Sequence, residues 1–265
     1  MSASEQKAGV SRFPASEMLK SPAGQGSLSG RVAVVTGASS GVGRAIALAL
    51  SERGAQLCAV GRDSMRLAET VASARTHSSA EGFEIDLTDE EGFGPLVQHL
   101  ERQSRVDILV HGAGVAYLGP MASSSVKKLD SHYCTNVRAP YALTQHLLPL
   151  LTASRGQIVF VNSSTGLSAV RPDVGQYAAT KHALKAIADS LREEVNSKGI
   201  RVLSLYLGRT ATPMQEELCR QERKTYNPAS LIQPEDVASV VVQALLLPPT
   251  AEVTDISMRP MQKPS

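Results

Sequence analysis

Apolar and polar positions along this chain follow two periods, and the switches between them predict its elements. Residues 32–36 form an unbroken, largely β-branched apolar run that ends at a glycine-rich turn, and small and apolar residues at helical spacing continue through Leu50. The run reads as a strand buried on both faces, and the spacing after it as a helix. The alternation recurs: strands are expected at 56–60, 82–85, 106–110, 157–162, 200–205 and 253–256. Helices are expected at 63–76, 89–103, 124–134, 137–151, 176–197 and 234–247. Pro140 marks a kink in the helical pattern around it. Pro234 suits a first helical turn, with Glu235 and Asp236 near the positive end of the dipole. Strands alternating with helices imply an α/β fold, a doubly wound parallel sheet of about seven strands in a single domain.

Composition narrows the setting. The chain has 265 residues and a formal net charge of +2, enough for one domain with a large core. It lacks the basic stripe with interleaved aromatics that nucleic acid calls for. No apolar run reaches the ~18 residues of a membrane span. Neither nucleic acid nor membrane is therefore an expected partner. Cys58, Cys134 and Cys219 have no metal or disulfide spacing, so a reducing, cytoplasmic setting is expected, with Cys58 a buried small hydrophobe. His77, His99, His132, His146 and His182 show no ligand spacing and read as surface or packing residues. No metal is expected. Residues 1–29, rich in Ser, Ala, Gly and Lys, lack a signal-peptide core and read as a mobile N-terminal extension. Residues 30–260 form the domain and 261–265 a tail.

Ligands of parallel sheets bind beyond the carboxyl ends of the strands, so the residues after each strand carry the chemistry. Gly37, Gly41 and Gly43 form Gly-x-x-x-Gly-x-Gly at a strand-to-helix turn. Such glycines let backbone approach a ligand closely, and the helix N-terminus offers free N–H groups to a phosphate. A bound nucleotide is expected. The second strand ends at Gly61, followed by Arg62. An NAD site places a carboxylate at such a strand end for the ribose 2′-hydroxyl, whereas a guanidinium can grip a 2′-phosphate with two donors. This favours NADP. Asp63 reads as a helix N-cap, its alternative being the ribose carboxylate displaced by two positions. Tyr177 and Lys181 are four apart and share a helix face. A neighbouring ammonium lowers a phenol's pKa and readies it for proton exchange.

Read together, these segments resemble the short-chain dehydrogenase/reductase family from about Gly30 to Pro260. The glycine motif is matched by Thr36 to Gly43, and the central Asn-Asn-Ala-Gly stands as His111-Gly112-Ala113-Gly114. The helix asparagine matches Asn136, and the serine segment Ser163-Ser164-Thr165-Gly166. The Tyr-x-x-x-Lys matches Tyr177 to Lys181, and Leu207-Gly208 replaces Pro-Gly. The resemblance implies a Rossmann-type fold and an NADP(H) cofactor held by Gly37, Ser39, Ser40, Gly41, Val42, Gly43, Arg62, Asp86, Leu87, Ala113, Gly114, Gly208, Thr210 and Thr212, with Tyr177 and Lys181 beside it. It implies a catalytic set of Asn136, Ser163, Tyr177 and Lys181, in which Asn136 serves a proton relay or only kinks its helix. Register favours Ser163 over Ser164. His111 is expected to be a hydrogen-bonded structural residue, and the loop after Leu207 to sit differently for want of a proline.

The implied activity is hydride transfer between the nicotinamide and a small carbonyl or secondary alcohol, with Tyr177 as general acid/base. A nucleotide-sensing regulatory or scaffold protein is the alternative, and an epimerase or dehydratase a third reading. Segments 115–121, 167–174 and 214–231 are expected to line the substrate pocket, the last as a mobile lid. A homodimer or homotetramer is implied, with Ala142, Leu143, Leu147, Ala183, Ala186, Ile187 and Leu191 forming its apolar face or else covering the sheet.

Overall fold

The computed structural model describes residues 27–169 and 171–262. The segment read as a mobile extension lies outside them up to residue 26, and residues 263–265 of the tail lie outside as well. Packing is already under way at Leu28, whose side chain is buried and whose N–H bonds the Arg53 carbonyl.

Seven parallel strands form one sheet in the order β3-β2-β1-β4-β5-β6-β7. They are β1 (Val32–Thr36), β2 (Gln56–Gly61), β3 (Ala80–Glu84), β4 (Ile108–His111), β5 (Gln157–Ser163), β6 (Arg201–Leu207) and β7 (Asp255–Met258). The helices are α1 (Gly41–Glu52), α2 (Ser64–Ala74), α3 (Gly94–Gln103), α4 (Val126–Tyr133), α5 (Ala139–Ser154), α6 (Gly175–Val195), α7 (Pro213–Gln221) and α8 (Pro234–Leu245). The strand order reverses between β1 and β4, with β2 and β3 added on one side and β4 to β7 on the other, and this switch point opens a crevice at the carboxyl edge. One core fills the face under α1, α2 and α8, with Ile46, Leu50, Val237 and Val241; the other lies under α3, α5 and α6, with Leu96, Leu100, Leu143, Leu147 and Leu184. Each such side chain contributes about 1.5–3 kcal/mol by leaving water. Ala142, Leu143 and Leu147 are thus committed to the sheet, whereas Ala186 is exposed.

Three elements differ from the expected pattern. The irregularity near Pro140 lies one turn earlier, in a π-helical segment Cys134–Arg138, where the Ala139 N–H reaches back to the Cys134 carbonyl. Pro140, which has no N–H to give, follows directly at the start of α5, where the hydrogen-bond register has just changed. β6 runs on through Leu207, pairing with Ser163 and Met258. The segment read as a mobile lid holds α7, capped by Thr212, whose hydroxyl accepts the Gln215 N–H at 3.2 Å. Its polar composition hid the helix from a hydrophobic pattern, but Thr-Pro at the start is an N-cap signature.

Candidate active site

The crevice begins at the turn between β1 and α1. Gly37 has φ +68°, and a Cβ there would lie 2.7 Å from the Ala113 nitrogen. A Cβ on Gly112 would lie 2.7 Å from the Thr36 carbonyl oxygen and 3.2 Å from Gly43 Cα. The turn and the segment after β4 are therefore in backbone-to-backbone contact, which accounts for glycine at 112. Ser40 caps α1 by position only, without a side-chain bond, and the first turn carries no acidic residue. Its N–H groups face the crevice free of a built-in anion.

Two adjoining cavities occupy the carboxyl edge. The smaller, about 220 Å³, is lined by Ser39, Ser40, Gly61, Arg62, Asp63, Arg66, Asp86, Leu87, Thr88, Ala113, Gly114 and Thr135. Asp63 is the N-cap of α2, accepting the Arg66 N–H at 3.0 Å, so its carboxylate is engaged by the helix. Asp86 accepts from the backbone and hydroxyl of Thr88, and those bonds hold its carboxyl below the ordinary range. Ser39 Oγ is buried and finds no partner among the described residues. A Cβ on Gly61 would strike that oxygen at 2.1 Å. A side chain at 61 would have to turn the Ser39 hydroxyl aside, and with glycine there the strand end carries no carboxylate. What remains is an orphaned hydroxyl beside Arg62 and Arg66, which suits a phosphate oxygen. Arg66 escaped the sequence reading; a basic residue in the first turn after β2 was its signal.

The larger cavity, about 450 Å³, brings together Gly37, Ser40, Gly41, Val42, Gly43, Ala113, Gly114, Ser163, Ser164, Tyr177, Lys181, Gly208, Thr210 and Thr212. Tyr177 is half-buried on α6. Burial raises its phenol above the ordinary value, and a hydrogen bond from Ser163 opposes that rise. The expected lowering by Lys181 is not what the surroundings produce. Lys181 Nζ lies 5.8 Å from the Tyr177 ring centroid and donates to the Val161 carbonyl at 3.0 Å; burial brings its own pKa down to about 8. The hydroxyl that meets Tyr177 belongs to Ser163, while Ser164 is exposed. Ser163 Oγ accepts from the Thr165 N–H at 3.2 Å and hydroxyl at 2.9 Å, so its one hydrogen is the one turned to Tyr177.

Asn136, buried in the π segment, binds Val115 both ways: Oδ1 accepts its N–H and Nδ2 donates to its carbonyl, each at 2.9 Å. Nδ2 also donates to Thr180 Oγ1 at 3.2 Å. Its amide braces the loop after β4 against α6 and makes no bond to Lys181 among the described residues. Gly114 keeps the space between them open: a Cβ there would sit 3.3 Å from Asn136 Oδ1 and 3.9 Å from Lys181 Nζ. His111 bonds Thr144 at 2.8 Å and stacks on Phe160, and burial pushes it down to about 3. It is structural. Gly208 is pinned by its N–H to the Met258 carbonyl, and Thr210 Oγ1 by the Gly208 carbonyl.

One residue read as surface or packing lies behind Tyr177, outside the cavity lining. His132, fully buried on α4, accepts the Tyr117 N–H through Nε2 at 2.9 Å and lies against the rings of Tyr117 and Tyr177, at 5.1 and 6.0 Å between centroids. Nothing in its sequence neighbourhood marks it. Among the described residues no group of three or more His, Cys, Asp or Glu side chains could hold a metal, and no helix is long and apolar enough to cross a membrane.

A Rossmann-type sheet with a phenol, a hydroxyl and an ammonium beside a glycine turn defines a dinucleotide-dependent oxidoreductase class. A family model described as short chain dehydrogenase matches residues 31–223, and the chain belongs to that family as an oxidoreductase. An uncharacterised oxidoreductase of Staphylococcus epidermidis is 33% identical over 233 residues, which cover 87% of this chain and 97% of that protein. A glycine betaine reductase of Emericella nidulans is 33% identical over 266 residues, covering 96% of this chain but 21% of its own length. A metagenomic short-chain oxidoreductase solved in complex with NADP superposes with TM-score 0.76 at 29% identity, over 89% of this chain and 99% of that one. An alcohol dehydrogenase from the archaeon Thermococcus sibiricus, complexed with 5-hydroxy-NADP, gives 0.78 at 25% identity with the same coverage.

Proposed function

We propose that this oxidoreductase interconverts a small carbonyl compound and its secondary alcohol, with NADP(H) as cofactor and Tyr177 as general acid/base. The observation that carries the reading is the convergence of Ser163, Tyr177 and Lys181 on one cavity with the glycine turn. When bound, the nicotinamide supplies or accepts the hydride. Gly37 to Gly43, Ala113, Gly114, Asp86 and Leu87 would hold the dinucleotide, with Gly208, Thr210 and Thr212 on the nicotinamide side. The orphaned Ser39 hydroxyl with Arg62 would take the 2′-phosphate.

In the reductive direction Tyr177 gives its proton to the substrate oxygen. Its raised pKa keeps it protonated at neutral pH, as an acid must be. Ser163 donates its hydrogen to the same oxygen. Lys181 has one donor on Val161 and turns the others to the cavity, where they would meet the ribose. Asn136 acts as a positioning residue through Val115 and Thr180. The exposed rings of Tyr133 and Tyr141 on α4 and α5 support a homodimer or homotetramer.

The test is oxidation of NADPH and NADH against a panel of aldehydes and ketones. NADPH should be preferred, and Arg62→Glu should erode that preference by about tenfold to a hundredfold. Tyr177→Phe should lower kcat by roughly 10²–10⁴-fold. Cofactor binding without turnover, indifferent to Tyr177→Phe, would overturn this reading in favour of a nucleotide sensor.

A further inference from the structure

Besides Lys181, the larger cavity is lined by three charged side chains: Arg171, Arg209 and Glu222. They come from three different segments, the β5–α6 connection, the β6–α7 connection and the C-terminal end of α7. Glu222 is the buried member, its side chain 7% exposed against 38% for Arg171 and 26% for Arg209. Its Oε1 accepts from Arg171 Nη1 at 2.7 Å and from Arg209 Nη2 at 2.9 Å, and its Oε2 from the same Arg209 nitrogen at 2.7 Å. Burial alone would raise its carboxyl, but the bonds from Arg209 and Arg171 outweigh burial and keep it ionised. Arg171 has a second carboxylate, Asp173, at 3.1 and 2.6 Å. Arg209 has none besides Glu222 among the described residues, and its Nη1 approaches only Cys219 Sγ, at 3.9 Å.

Two guanidiniums on the wall of a substrate cavity would ordinarily read as a carboxylate-binding subsite. Here the chain supplies the carboxylate itself. At this corner two positive and two negative groups offset one another, and apolar Val115, Leu118, Met214 and Leu218 stand beside polar Ser168 and Gln215 in the same lining. An anionic substrate would have to displace a tethered, bidentate competitor, and a cationic one would meet the guanidiniums. A charge left unpaired in such a place is costly.

We propose that Glu222 sets the substrate class, occupying the Arg171–Arg209 pair as a built-in carboxylate and so reserving the cavity for uncharged carbonyl compounds. This rests on the carbonyl–alcohol reading above. Glu222→Gln keeps the shape of the side chain, removes one negative charge and leaves the Arg209 cation without a carboxylate. The variant should then accept what the parent refuses.

The probes are para-formylbenzoate and its neutral methyl ester, compared by kcat/KM with NADPH. The parent should favour the ester. Glu222→Gln should raise the acid-to-ester ratio by about tenfold to a hundredfold, the worth of a charge-assisted hydrogen bond. Arg209→Gln/Glu222→Gln should return the ratio toward the parent's, which separates charge from any loosening of α7. Equilibrium binding of benzoate against benzyl alcohol to the NADP-loaded protein gives a second readout that needs no turnover. If no variant reduces either probe, the carbonyl reading fails while benzoate binding still reports on the pair. An unchanged acid-to-ester ratio in Glu222→Gln, a parent that prefers the acid, or benzoate binding equally to parent and variant would each overturn the proposal.

Discussion

Lys181 holds its charge in surroundings that work against it. Burial lowers its pKa to about 8, so the ammonium dominates below pH 8 and the neutral amine above it. If the charge holds the ribose, kcat/KM for NADPH should be level at neutral pH and fall by about tenfold per unit well above pH 8. A pH–rate profile checks this, and Lys181→Met should flatten it at a lower rate. His111 stands at the other extreme. At about 3 it is neutral at neutral pH, and its imidazole bonds Thr144 and stacks on Phe160. Tyr177 and Lys181 were singled out by a spacing of four together with their place fourteen residues after Ser163 in an alternating chain, since the spacing alone is common on helices. Their protonation was not legible, because the sign of the phenol's shift depends on what covers it.

Between elements, the clamp on Tyr177 is built from α4, the loop after β4 and α6. His132 joins them, with Tyr117 N–H on Nε2 and the Tyr177 ring alongside. Substituting His132 by Leu should lower kcat by roughly ten- to a hundredfold, since small displacements of a reacting group are costly. Affinity for NADPH should change little. His132→Gln offers Oε1 to the same N–H and should recover most of the loss; steady-state kinetics beside a cofactor titration decide it. Equal losses in both variants would mean that the side chain's bulk matters and its acceptor does not. The π segment Cys134–Arg138 and helix α7 were the elements a hydrophobic pattern missed. The first is a change of hydrogen-bond register inside a continuous helical run, and the second is a polar helix held by a cap and by ion pairs to distant loops.

Across the whole molecule, chemistry and anchoring sit at opposite ends of the sheet. At the amino edge Asp107 is buried, taking the Val32 N–H at 2.8 Å, Arg31 at 3.0 Å, and Arg105 at 2.8 and 2.6 Å. Those partners outweigh burial and hold its carboxyl below the ordinary range. A carboxyl depressed on folding stabilises above its unfolded pKa, about 3.9, and loses that contribution as pH falls through the folded value. Asp107→Ala should therefore cost about 1–3 kcal/mol at pH 7, chiefly through the Val32 N–H left unsatisfied, leave KM for NADPH unchanged, and show a deficit against the parent that shrinks progressively as pH falls from about 4. Denaturant melts at several pH values measure it. The sequence by itself determined the strand–turn–helix that opens the fold, the parallel alternation that follows, and the placing of Tyr177 and Lys181 on one helix face. All of these are local, carried by periods of two and 3.6 and by glycines that no side chain can replace. Only the tertiary structure decided that the Ser39 hydroxyl, buried beside Gly61, finds no partner among the described residues, that His132 backs Tyr177, and that Glu222 closes the Arg171–Arg209 pair. Each of these is a meeting of segments remote in the chain, where burial and charge act through space, and order along the sequence carries no distance.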